Sequence, residues 1–185
     1  VQVVEFGRLP LVLEALKAGA VDFTFTNATE ARAKDMVFTP PLIRLELGYL
    51  VPPGSSITAV ADVDARAHRV GVTEGSSSQG VLTRTYQRAV VVPVASIKVG
   101  QEMLRQRQLD AFATNKGILF EMSDELPGFR VLDGRWGLEN LAIAIPKRRE
   151  AALPFLGQFA QGVQGSGQLQ AIVIRAGLRG TARPD

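Results

Sequence analysis

The chain contains no cysteine, which excludes disulfides, thiolate metal sites and a cysteine nucleophile. It has a single histidine, His68, in the run Ala65-Arg66-Ala67-His68-Arg69. No nucleophile with an orienting carboxylate, and no set of further ligands at metal-binding spacing, accompanies it, so triad and zinc chemistry are not expected. His68 reads as a surface residue in a turn before a strand. No apolar stretch approaches the ~18 to 20 residues that cross a bilayer, and no charged segment followed by an apolar one opens the chain. The net charge of +3 and pI near 9.6 come from Lys and Arg scattered among Asp and Glu. Without clustered cations interleaved with aromatics, no nucleic-acid partner is expected.

What is present is an ordinary globular composition: 185 residues, 46% hydrophobic and 21% charged, enough to bury a substantial core. Short β-rich runs alternate with amphipathic helices, the pattern of an α/β protein. Val1-Gln-Val-Val-Glu-Phe6 reads as a strand. A helix follows with Leu9, Val12, Leu13 and Leu16 on one face, and Gly19 just past its end. Val21–Phe25 alternates as a strand, with Phe23 and Phe25 expected in the core. Thr29–Lys34 is a polar turn or short helix, stopped by Phe38-Thr-Pro-Pro41.

Leu45–Val51 is a strong strand closed by Pro52-Pro53-Gly54, and the composition changes there. A short helix led by Asp62 comes next. The strand Arg69-Val-Gly-Val72 runs into Glu74-Gly-Ser-Ser-Ser78 and a helix to about Arg88. A strand, a Gly/Ser turn and a helix form a recurring anion-binding device. The rhythm continues with Val90–Val94 as strand, Lys98–Gln106 as helix, Ala111–Ala113 as strand, with Phe112 in the core, and Gly117–Met122 as helix. Asn140–Ile145 is a second passage strand, followed by helices around Leu153–Gln161 and Leu169–Arg175 and a polar tail from Gly177. Two connecting strands with an α/β block between them imply one lobe inserted into another.

In this order the residues resemble the extracellular solute-binding proteins of family 3, the polar amino-acid receptors of ABC importers. The resemblance runs through nearly the whole chain. It rests on Gly19–Asp22, Thr29-Glu-Ala-Arg32, Phe38-Thr-Pro-Pro41, Arg69-Val-Gly-Val72 with Gly75-Ser-Ser-Ser78, Asp110-Ala111, and the returning strand Leu141–Pro146. It implies a periplasmic-binding-protein type II (Venus flytrap) fold: two α/β lobes joined by two crossover strands, with ligand held between them. Lobe 1 is then residues 1–51 and 141–185, and lobe 2 residues 52–140. Relatives begin with a strand, a loop carrying a pocket aromatic and a hairpin ahead of the element matching Val1–Phe6. The first lobe is thus expected to be incomplete at its N-terminus, and a homodimer through that lobe is expected.

The resemblance makes Arg32 the contact for a ligand carboxylate, a task suited to a planar guanidinium that donates two parallel hydrogen bonds. Without the family, Arg32 reads as a surface arginine beside Glu30, Lys34 and Asp35. Ser76, Ser77 and Ser78 open a helix whose free N–H groups favour an anion, although a serine there can equally serve as a cap. In amino-acid receptors an Asp that pairs with the ligand ammonium ends the strand after Asp110-Ala111, and here Asn115 stands there. The Asp22–Arg32 segment is also shorter than in the family, leaving Thr26 and Asn27 as its polar pocket candidates. A carboxylate-bearing solute, an amino acid or related organic acid, is therefore expected. The implied role is the non-catalytic receptor of an importer, periplasmic or extracellular, using no metal or cofactor and partnered by a permease. A sensory or vestigial binding module is the alternative. A cyclohexadienyl dehydratase-like enzyme is a further one, for which Glu74 and Glu121 are the available acids. Phe6 and Trp136 are left outside the site.

Overall fold

The computed structural model describes residues 1–182 of the chain. It divides into two compact units, the first comprising Val1–Phe6, Pro10–Leu45 and the chain from Glu139 onward, the second Gly7–Leu9 and Glu46–Leu138. The chain passes from one to the other within β3 (Ile43–Val51) and returns within β8 (Gly137–Pro146).

The second unit is built from β4 (Arg69–Thr73), α2 (Ser77–Thr85), β5 (Val90–Val94), α3 (Ile97–Arg105), β6 (Ala111–Asn115), α4 (Lys116–Glu125) and β7 (Arg130–Val131); α1 is Leu9–Ala18. β4 lies parallel between β5 and β6, in registers Val70↔Val91 and Val70↔Ala111. β3 closes the other side of β6 antiparallel, with Leu47 opposite Asn115, and β7 extends the sheet beyond β3. Parallel neighbours need helical crossovers, and these cover both faces of the sheet, which is why Val70, Gly71 and Val72 are all buried.

Side chains therefore alternate between two cores. Tyr49, Val51, Val70, Val72, Ala111 and Ala113 fill one, while Leu50, Phe112, Leu104, Leu109, Leu119 and Met122 fill the other. Phe112 is buried as its strand pattern requires. Two glycines leave its ring room: a Cβ at Gly100 would lie 2.2 Å from the ring, and one at Gly71 2.7 Å from it.

In the first unit β1 (Thr24–Asn27) and β2 (Met36–Phe38) flank β8, since Ala144 opposes both Thr24 and Phe38. With α1 belong α5 (Leu153–Gly165) and α6 (Gln168–Arg175). Gly19 takes φ +71° past α1, and a side chain there would strike the Arg148 guanidinium, which donates to the Ala18 carbonyl at 2.6 Å. The tail through Ala182 returns to β3, with Thr181 bridging Leu45.

Several expectations shift. Val1–Phe6 forms no strand, because its β-branched residues meet no partner to ladder with. Phe23 and Phe25 are exposed at 39% and 53%, since they belong to the edge of the first unit's sheet rather than its core. The helix from Ser77 ends at Thr85, short of Arg88, where the Asp64 carboxylate gathers the backbone N–H groups of Gln87, Arg88 and Ala89. Asp62 closes a 3₁₀ turn rather than leading a helix, accepting from the backbone of Thr58 and Ala59. Thr29–Lys34 contains a 3₁₀ turn at Arg32–Lys34.

Candidate functional site

In the second unit α2 follows β4, α3 follows β5 and α4 follows β6, so all three helices begin at the carboxyl edge of the parallel strands. Each start is capped by a side chain: Ser76 Oγ accepts from Gln79 N at 3.1 Å, Ser96 Oγ from Val99 N at 3.3 Å, and Asn115 Oδ1 from Ile118 N at 3.1 Å. The crossover from β4 leads to one neighbour, and the next carries the chain back past β4 to β6. The direction of winding therefore reverses between β4 and β6, the position where open α/β sheets leave a crevice for ligands. Ser76, Ser77, Ser78 and Asn115 all lie at that edge. Ser76 and Asn115 use their side chains as caps, and Ser78 is buried within α2. With those side chains used as caps, it is the positive end of each helix dipole that remains toward a ligand.

Four residues that sequence reasoning passed over, Lys116, Glu46, Arg135 and Thr73, complete this edge. Lys116 opens α4 and is only 9% exposed. Its Nζ donates to Glu46 Oε2 at 2.8 Å, and Arg135 Nη1 donates to Glu46 Oε1 at 3.2 Å. Its stem packs so closely on β3 that a Cβ at Gly48 would lie 3.0 Å from Lys116 Cγ. The Lys116 hydrogen bond is the foremost cause holding the Glu46 carboxyl below its ordinary range, against the opposing cost of burial. Two cations thus share one carboxylate at the start of α4. A buried lysine in the first turn of a helix runs against the dipole, and that conflict was the available signal. Thr73, at the end of β4, holds a buried hydroxyl without a hydrogen-bond partner among the described residues. Nearby, Trp136 Nε1 donates to the Gly48 carbonyl at 3.0 Å and its ring lies 6.1 Å from that of Tyr49, so the half-buried Trp136 braces β3 against the core.

In the first unit the structure brings Arg32, Thr26 and Asn27 together. Arg32 Nη1 donates to Thr26 Oγ1 at 2.6 Å and to the Asn27 carbonyl at 3.3 Å. Arg32 N donates to Thr29 Oγ1 at 3.3 Å, which fixes the turn carrying the guanidinium. Thr26 and Asn27 are buried, and Asn27 Oδ1 accepts from Asn140 N at 2.9 Å, tying β1 to β8. Burial pushes the Arg32 pKa below its ordinary value, with Glu139 acting in the opposite direction. A partly desolvated guanidinium favours any anion that can reach it.

The two acids considered for catalysis are not enclosed. Glu74 is half-exposed and ion-paired with Arg8, and Glu121 is exposed. His68 is half-buried, its Nδ1 3.0 Å from the Val63 carbonyl. No group of His, Asp and Glu among the described residues has metal-binding geometry. No helix among them is long and apolar enough to cross a membrane.

No protein-family model matches the sequence. It is 35% identical over 94 residues, 46% of its length, to an Escherichia coli (strain K12) protein whose name assigns it to aliphatic-sulfonate binding. The match spans 28% of that relative, little more than a quarter of its length. Solved structures agree far more extensively in shape than in sequence. An amino-acid ABC-transporter substrate-binding protein from Streptococcus pneumoniae, bound to L-arginine, superposes with TM-score 0.84 at 18% identity, over 95% of this chain and 75% of that one. The arginine-, lysine-, histidine-binding protein ArtJ from Geobacillus stearothermophilus gives 0.81 at 17% identity, over 94% and 77%. An ancestral amino-acid-binding protein that is a precursor of cyclohexadienyl dehydratase gives 0.82 at 18%, over 95% and 77%. Likeness of this depth carries the fold: the chain has the α/β architecture of the type II periplasmic binding proteins, the Venus-flytrap fold of solute-binding proteins.

Proposed function

We propose that the chain is the solute-binding receptor of an ABC importer, that its two units are the receptor's lobes, and that it takes a small organic anion. The observation that carries the ligand class is the edge of the second unit. Two helix N-termini flank a winding reversal there, and the carboxylate that receives Lys116, that of Glu46, already serves both Lys116 and Arg135. The Asn115 amide oxygen is used in capping α4. An α-amino acid would bring an ammonium group to a place where the Glu46 carboxylate is already shared by two cations. A carboxylate or sulfonate without that group meets no such cost, and the sulfonate-binding relative points the same way. Arg32, with Thr26 behind it, is the proposed contact for the anion in the first unit.

The proposed setting is the periplasm or cell exterior, with a membrane permease as partner, as the solved neighbours' transporter roles suggest.

A thermal-shift screen tests the reading, using alkanesulfonates, dicarboxylates, keto acids and free amino acids. A ligand at about a hundred times its Kd adds about 2.7 kcal/mol of stability. The expected result is a raised Tm with sulfonates or simple carboxylates that Arg32→Ala abolishes. Stabilisation by amino acids alone would sink the ligand class, and no stabilisation at millimolar concentration would sink the receptor assignment. Turnover of prephenate or arogenate would show an enzyme instead.

A further inference from the structure

Leu47 of β3 opposes Asn115 of β6, so the next step along that ladder brings Glu46 to Lys116 at the start of α4. The charged groups gathered there are held from their backbones. Lys116 lays its stem over Gly48, where an added Cβ would lie 3.0 Å from Lys116 Cγ. Arg135 precedes Trp136, whose backbone N–H donates to the Leu47 carbonyl at 3.0 Å and whose Nε1 donates to the Gly48 carbonyl. Glu46 receives one cation on each oxygen, Lys116 Nζ on Oε2 at 2.8 Å and Arg135 Nη1 on Oε1 at 3.2 Å. All three residues belong to the second unit.

Two cations against one carboxylate leave a single positive charge in this cluster. Its members differ in burial: the side chains are 11% exposed for Lys116, 26% for Glu46 and 46% for Arg135. Water therefore screens the Lys116 charge least, and without a counter-charge that ammonium would add in full to the positive end of the α4 dipole. Glu46 offsets it. A carboxylate kept beside an anion-binding edge also acts on the ligand, because it repels each negative charge brought near it. The repulsion grows with the charge of the ligand, which gives discrimination by an opposing element rather than by a new contact.

We propose that Glu46 sets the charge of the solute: the edge at the start of α4 takes a monoanion, and Glu46 disfavours the second negative charge of a dianion. The inference rests on the reading of this edge as an organic-anion site and narrows it to singly charged carboxylates and sulfonates. Lys116 and Arg135 act with Glu46 as one unit, so each change of charge within the cluster shifts the preference in a direction fixed by its sign.

Isothermal titration calorimetry at neutral pH and low salt tests this with two pairs matched in length, butanoate against succinate and propane-1-sulfonate against ethane-1,2-disulfonate. A unit charge removed about 8 Å from a ligand charge, at an effective dielectric of about 40, changes affinity about sixfold per ligand charge. The parent should bind the monoanion of a pair more tightly. Glu46→Gln should strengthen the dianion more than the monoanion and move the preference about sixfold toward the dianion, even as it lowers stability. Arg135→Gln, at a more exposed position, should move the preference the other way by a smaller factor. Glu46→Asp should keep the parent's preference, and raised salt should shrink both shifts. A merely structural role would weaken both members of a pair alike and could not give shifts of opposite sign. A parent that favours the dianion, or a preference unmoved by Glu46→Gln or by Arg135→Gln, would overturn the proposal and leave the anion site standing. No binding of any of the four probes by the parent would remove the anion site and the proposal together.

Discussion

Phe112 shows how single positions set the packing of the second unit. Its ring is fully buried and presses on Gly100 of α3 and Gly71 of β4, where a Cβ would intrude to 2.2 Å and 2.7 Å. Gly100→Ala therefore sets an overpacking cost of about 1 to 3 kcal/mol against a helix-propensity gain of about 1 kcal/mol. The expected result is a net loss of stability, measured as a lower urea midpoint at constant slope. Phe112→Leu removes the ring that the new methyl meets. In that background Gly100→Ala should cost less by at least about 0.5 kcal/mol, and strict additivity would sink the account. The burial of Phe112 was legible in the sequence because β6 lies between helical segments whose crossovers cover both faces of the sheet. That of Phe23 and Phe25 was not, although they show the same alternation, because alternation marks a face and says nothing of what covers it. Arg32, Thr26 and Asn27 were legible as a group, while Lys116 was overlooked beside Asn115, since its partner Glu46 lies 70 residues away.

At the scale of elements, those with helical neighbours in sequence were read well. β5 matches its expected span, and α3, α6 and β8 differ only at their ends. β2 and β7, of three and two residues, escaped notice because such short strands are held by the ladders of β8 and β3 and carry no period of their own. Val1–Phe6 was read as a strand for the converse reason, propensity without a partner in the chain. The joining of β3 to β6 and α4 has a pH signature. Glu46 titrates below its ordinary value of 4.5 in the folded protein, so its contribution is complete above that value and is lost as pH falls through the folded pKa. Solvent screening keeps this contribution under about 1 kcal/mol. Glu46→Gln should lower stability at pH 7, because Lys116 then loses its carboxylate, and should flatten the loss from about pH 5 to pH 3 relative to the parent. Glu46→Gln with Lys116→Met should recover part of the neutral-pH loss. Chemical denaturation at each pH measures both effects, and an unchanged acid slope in Glu46→Gln would remove Glu46 from the account.

For the whole molecule, the two units differ in how much apolar surface they hide. The second has two cores on opposite faces of a mostly parallel sheet, each sealed by helices. The first has a three-residue buried cluster and leaves Phe155, Phe159, Ile172 and Ile174 in solvent. Opening free energy follows buried contacts, so the units should not open together. Amide hydrogen exchange read by mass spectrometry should leave β4 and β6 protected longest, with β1, β2, α5 and α6 exchanging earlier. Equal protection of β1 and β6 would refute the difference in cores.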